Sequence, residues 1–295
     1  MDWLTILQFL EWPIIASLVV AGIHAYLGLH VVERGVIFVD LSLAQIASLG
    51  ATLALLIPAF GGDPHHPAVY WMSLGFTFIG AAIFSMIKGQ EARIPQEAII
   101  GISYAVASAA VIVAMSKSAG ESEHLRDMLV GNILSVSPGE VVRTGVLYVV
   151  IGAFHYIFRH RFLLISTNPK AAAAQGISIR FWDFLFYVSF GFVVTRSISI
   201  AGVLLVFCYL IVPSVGAMLF AERIGPRLAI GWVMGVAVSM LGMYFSVEFD
   251  LPTGATIVCT FGLVLILMAI VRVLVPRKAG VDSLVVGLRG AASGD

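Results

Sequence analysis

Charge is scarce in this sequence. Asp, Glu, Lys and Arg make up 12% of its 295 residues, against about 25% in an ordinary soluble domain, which excludes a surface solvated mainly by water. The formal net charge is zero, so no basic field is present to draw nucleic acid or acidic lipid. Cysteine is limited to Cys208 and Cys259. Both lie in apolar runs, where the residue acts as a small hydrophobe, and no disulfide framework is expected. The Gly-x-x-x-x-Gly-Lys-Ser/Thr phosphate loop, the Gly-x-Ser-x-Gly elbow and the His-Glu-x-x-His pair are all missing, so the chain does not read as an enzyme and any ATP hydrolysis must come from another chain. Met1 to Leu10 carries Asp2 and no basic residue, unlike a cleaved leader.

What is present is apolar length. Hydrophobic residues make up 60% of the chain, and runs such as 12–32, 68–87 and 253–271 reach the ~20 residues needed to cross a ~30 Å hydrocarbon core. Gly, Pro and charge punctuation divides the sequence into about nine helical segments, at roughly 12–32, 36–58, 68–87, 96–116, 142–158, 181–195, 199–220, 228–247 and 253–274. The expected fold is all-α, a polytopic transmembrane helical bundle of about eight to ten spans. Thr195-Arg196-Ser197 marks the break between the sixth and seventh segments, and Pro213 could split the seventh. Residues 1–278 form the membrane domain, and 279–295, rich in Gly, Ala and Ser, read as a flexible cytoplasmic tail.

Cytoplasmic loops retain Lys and Arg. If the loop holding Arg34 is inside, alternation leaves only Lys117, Arg126, Arg143 and Arg196 of the 17 basic residues outside, with the N-terminus outside and the C-terminus inside. Two connections exceed a turn. The outer stretch 117–141 mixes charged and apolar residues and could lie at the interface as an amphipathic or re-entrant piece. The inner stretch 159–180 contains Asn168-Pro169-Lys170-Ala171-Ala172-Ala173-Ala174-Gln175-Gly176-Ile177. An Asn-Pro start, an alanine run and a Gly stop predict a short helix with both ends marked, the kind of element a motor subunit could push against.

Ionisable groups inside spans are costly and by default face the bundle interior or a water-filled path. Asp40 is the clearest, about six residues past Arg34 and so roughly 9 Å along the helix, in one sector with Gln45. It reads either as a station on a transport path or as a structural group that pairs with Arg34 or caps a helix. His24, near the middle of the first span, is either a ligand for a borderline-soft cation or a hydrogen-bonded core histidine. His30, His155 and His160 near the inner boundary read as interfacial or solvated. His65 and His66, beside Asp63, could form an outer metal-contacting loop. Glu97, Glu248 and Asp250 read as helix-end charges.

Several stretches together resemble the metal-uptake permeases of the ATP-binding-cassette importers, the zinc, manganese and iron group. They are Leu129 to Ser137, Ala174-Gln175-Gly176-Ile177, Ala201 to Val206 with Leu210 to Ser214, and Phe249 to Val258; the likeness spans roughly 14–275. The resemblance implies a homodimer or paired permeases around a central path in a bacterial-type cytoplasmic membrane, two ATPase subunits inside, and an extracytoplasmic metal-binding protein. It makes Asn168, Pro169, Ala172, Ala173, Gln175 and Gly176 the ATPase-coupling segment and puts Asp40 on the transport path, to which Gln45 and His24 are added by their places within the spans alone. It implies no cofactor held by the chain beyond the transported metal. The family usually has a histidine four residues after the aspartate of the second span; here that position is Ala44, followed by Gln45. An amide is a poor zinc ligand and a tolerable one for a harder ion. A permease for a metal chelate or cofactor is the alternative within the importer class, and a stand-alone secondary transporter, which would need its own coupling-ion site, the alternative outside it.

Overall fold

The computed structural model describes residues 3–60, 66–87, 95–116 and 133–275. These form eleven α-helices and no strand: α1 Trp3–Arg34, α2 Val39–Leu55, α3 Pro67–Ile87, α4 Gln96–Met115, α5 Pro138–Ile157, α6 Arg159–Thr167, α7 Pro169–Ala174, α8 Ile179–Ala201, α9 Val203–Phe220, α10 Ile224–Glu248 and α11 Thr253–Leu274. Eight are long and apolar enough to cross a bilayer, and α2, at 17 residues, is a shorter apolar ninth. The polytopic helical bundle expected from hydropathy is present, with each of the nine segments matched by one helix. The tail 279–295 and most of 117–141 lie outside the described residues.

Helix boundaries follow local chemistry. Ser137 caps α5 by accepting from the Glu140 amide at 3.3 Å while Glu140 Oε2 accepts from the Ser137 amide at 3.0 Å. This reciprocal pair, with Pro138 behind it, starts the helix earlier than the expected 142. α1 ends at Gly35, φ 66°, where the Val36 amide reaches back to the Val31 carbonyl and the Gly35 amide to that of Val32, a left-handed cap that suits glycine. The expectation of a helix continuous from residue 36 is therefore corrected: α2 begins at Val39, and Asp40 lies in its first turn. The break between α8 and α9 falls at Gly202, φ 75° and ψ 162°, not at Thr195-Arg196-Ser197. Those polar residues stay helical because neighbours satisfy them: Arg196 Nε donates to Thr144 Oγ1 at 3.0 Å, and the Ser197 hydroxyl meets that of Tyr148. Pro213 leaves α9 continuous. Beside it Ser214 Oγ donates to the Leu210 carbonyl at 3.0 Å, a side-chain bond of the kind that lets spans carry proline.

The helices pack as two groups. α1 packs on α9 and α10, which pack on each other and on α11; α2 packs on α3 and α4, and α3 packs on α8. A Cβ on Gly28 would run into the Leu210 carbonyl oxygen, and one on Gly50 would come within 2.7 Å of the Met72 carbonyl. Glycine is thus what lets α1 reach α9 and α2 reach α3. Outward faces carry apolar rows, Val142, Val146 and Val149 on α5 and Leu263, Ile266 and Ile270 on α11, which is what a lipid solvent requires. Tyr187, Tyr209, Phe84, Phe186 and Phe261 fill the interior. α2 is buried on nearly every side.

Candidate functional site

The sequence-predicted groups fall into three places. The first is the start of α2. Asp40 is 2% exposed, and the placement in the first helical turn puts its carboxylate at the positive end of the helix macrodipole, where an acidic side chain is favoured. Oδ1 is buried without a hydrogen-bond partner. The pairing with Arg34 that the sequence left open does not occur, because Arg34 Nη1 binds Asp183 Oδ1 at 2.5 Å. Glu97, from the start of α4, accepts from the Phe38 amide at 3.1 Å and so ties α4 to the entrance of α2. Ala44, Gln45 and Ser48 are buried further along α2. Ala44, the position that carries a histidine in the resemblance, is packed at 2% exposure.

The second is the polar cluster where α1, α5, α6 and α8 meet. His30 and His155, expected at a solvated boundary, are 0% and 1% exposed, a correction with a plain cause: serines on other helices hold them. His30 Nδ1 and Ser166 Oγ are 2.8 Å apart, as are His155 Nε2 and Ser189 Oγ. Tyr26 lies edge-on to both imidazoles. His160 is exposed, as expected. His24 sits apart, fully buried, with Nδ1 2.8 Å from the Val20 carbonyl. That bond requires Nδ1–H and leaves Nε2, which has no partner, as the lone-pair nitrogen.

The third is the segment after α6. Asn168 Oδ1 accepts from the Ala171 amide at 3.0 Å and starts α7. Gly176, φ 72°, ends it, with the Ile177 amide bonded to the Ala172 carbonyl at 3.1 Å and the Gly176 amide to that of Ala173 at 3.0 Å. Asn168, Pro169, Ala173, Gln175 and Gly176 are exposed, whereas Ala172 is fully buried against its own chain. α7 therefore presents one face outward and anchors the other.

The remaining candidates do not converge. His66 Nδ1 accepts from the Ala68 amide at 3.2 Å and its ring stacks on Phe60; His65 and Asp63 lie outside the described residues. Among the described residues no three His, Cys, Asp or Glu side chains come together as a metal-binding group. A cavity of about 480 Å³ lies between α10 and α11, lined by apolar residues that include Val233, Met234, Leu241 and Met268. Sequence reasoning missed the Arg34–Asp183 pair. An acid four residues into an apolar segment, opposite a basic loop, is the signal that could have found it.

Phe249 to Gly254 is a built turn. Asp250 takes φ 51°, the Leu251 amide reaches the Ser246 carbonyl, and Ser246 Oγ lies 2.6 Å from Thr253 Oγ1. With Gly202 and Gly176, this turn places a chain reversal or helix stop in three of the stretches that carry the resemblance, whereas Leu210 to Ser214 lies within α9 and 129–132 lie outside the described residues.

Comparison with known proteins covers nearly the whole chain. A family model described as the ABC 3 transport family matches residues 6–272. The chain is 28% identical over 267 residues to the manganese transport system membrane protein MntC of Halalkalibacterium halodurans, with 87% of this chain and 85% of that protein covered. To the manganese transport system membrane protein MntC of Listeria innocua it is 25% identical over 259 residues, covering 85% and 86%. The solved structure of PsaBC from Streptococcus pneumoniae in complex with Fab has the same fold, with a TM-score of 0.74 at 24% identity over 90% of this chain and 93% of that one.

Proposed function

The chain belongs to the ABC 3 transport family, and from that premise we propose that it is the membrane permease subunit of an ATP-driven importer of divalent transition metal ions, with manganese favoured over zinc. The carrying observation is the family match, which runs through every span. Two curated relatives of matching length are manganese transport proteins. The donors buried along the first two turns of α2, the Asp40 carboxylate and the Gln45 amide, offer oxygen ligands that suit a harder cation than zinc. Asp40 receives the ion on its path, and the lack of an imidazole at Ala44 keeps the hold weak enough for release.

In this reading two copies of the chain enclose the path, ATPase subunits bind the exposed face of α7 from the cytoplasm, and an extracytoplasmic protein delivers the metal. The N-terminus lies outside. The test is ATP-dependent uptake in liposomes containing the chain, its ATPase and its binding protein, across manganese, zinc and iron. Manganese uptake exceeding zinc uptake is expected. Failure to import any of the three metals would overturn the reading, and import of a metal chelate alone would replace it with the alternative importer class.

A further inference from the structure

The inner end of α1 carries a buried ionic grip on both flanks of α7. Arg34 Nη1 donates to Asp183 Oδ1 on α8 at 2.5 Å, with the two side chains 1% and 0% exposed. Its Nε donates to Ser166 Oγ at the end of α6 at 2.9 Å. The same hydroxyl donates to the Phe162 carbonyl at 2.9 Å and lies 2.8 Å from His30 Nδ1, so α1 touches Ser166 twice. The guanidinium carbon sits 4.0 Å from the centre of the Phe186 ring on α8. Ser166 closely precedes Asn168, the cap of α7, and Asp183 follows the Gly176 stop by less than two turns of helix. Gly35, next in sequence, is the left-handed turn that leads into α2 and Asp40.

We propose that Arg34 is the positioning residue that carries displacement of α7 to the α1–α2 turn and so to Asp40; the proposal rests on the reading of α7 as the ATPase-docking helix. The fork geometry is what fits Arg to this task. A planar guanidinium presents several donors in fixed directions and holds two acceptors on two segments at once, whereas a lysine ammonium at the end of a flexible stem is a point charge. α6 and α8 move with α7 because each is joined to it by one or a few residues. A buried charge pair cannot lengthen without exposing two charges to an apolar interior, so the link transmits displacement and does not absorb it.

The test uses the complex of permease, ATPase and binding protein in liposomes, with Arg34→Lys and Ser166→Ala. Arg34→Lys keeps the cation near Asp183 and gives up the grip on Ser166; Ser166→Ala removes that grip from the other side. Two quantities are read, metal imported per ATP hydrolysed and the mobility of a spin label at Gln175, which is exposed. Metal imported per ATP is expected to fall about tenfold, within the usual range of coupling between sites, with ATP hydrolysis largely retained and the label freed. An unchanged ratio, or uptake and hydrolysis falling together, overturns the proposal and leaves Arg34 as a structural staple. If the wild-type complex imports no metal, the functional reading fails instead, and the label alone then decides: release by Arg34→Lys supports the grip, and an unchanged label overturns it.

Discussion

At Asp40 a buried carboxylate stands in the first turn of α2 without the cation that Arg34 gives Asp183. The macrodipole offsets part of its desolvation, and a passing cation would offset more. Two unit charges about 4 Å apart attract by about 4 kcal/mol at an effective dielectric of about 20, so removing the charge with Asp40→Asn is expected to lower metal uptake at least about tenfold. The amount of folded permease, read by size-exclusion chromatography in detergent, should barely change. His24→Ala acts differently. His24 is fully buried and bonded to the Val20 carbonyl, so its removal leaves a cavity costing about 2 to 4 kcal/mol, seen as a lower melting temperature. Uptake per folded molecule should fall less than in Asp40→Asn; a larger fall would move the ion station from α2 to α1.

Exposed and buried residues are neighbours along α7. Ala173 is exposed, and Ala173→Arg should change stability by no more than about 0.5 kcal/mol while abolishing co-purification with the ATPase. Ala172 is fully buried, so Ala172→Arg places an unpaired charge in the core at a cost of several kcal/mol and should reduce folded protein itself. ATPase retained by Ala173→Arg would assign docking to another loop. This helix was legible in the sequence because both of its ends are written locally, in Asn168 and Gly176. The nine spans were legible for a similar reason, since apolar length between breakers is a property of the chain alone. The α8–α9 break was misplaced because the polarity of Arg196 and Ser197 is answered by Thr144 and Tyr148 on α5, partners that a local reading does not see. The start of α5 is also written locally, in Ser137-Pro138-Gly139-Glu140.

Across the described residues, alternation of eight long apolar helices and the shorter α2 puts Arg34, Glu97, Asp183 and Arg227 at one end of the bundle, in agreement with their bonds: Arg34 with Asp183, Glu97 with the amide of Phe38, and Arg227 with Glu33. Which end faces the cytoplasm is settled by labelling. In a background without Cys208 and Cys259, cysteines at Asp63 and Ser118 should react with an impermeant thiol reagent added outside, and cysteines at Gly89 and Gln175 should not. The reverse pattern would invert the proposed orientation. The site was less legible than the fold at this scale. Asp40 could be singled out as an intramembrane acid, but the groups that act on it electrostatically, Glu97 on α4 and Cys208 on α9, are far from it in sequence, as are the members of the Arg34–Asp183 pair from each other.

The enclosure of α2 also bears on how the chain is made. Its 17 residues rise about 25 Å, less than the ~30 Å core, and an acid opens it, so α2 alone is a poor candidate for autonomous release from the translocon into lipid. Its packing surfaces are supplied by α3 and α4 and, far later in synthesis, by α8 and α9. Insertion of α2 is therefore expected to depend on helices that follow it. In a glycosylation-tag insertion assay, α2 by itself should integrate inefficiently and gain when α3 and α4 are appended. A nascent chain cut short before α8 should stay a target for membrane quality-control proteolysis, and efficient integration of α2 alone would show that its shortness is no obstacle to biogenesis.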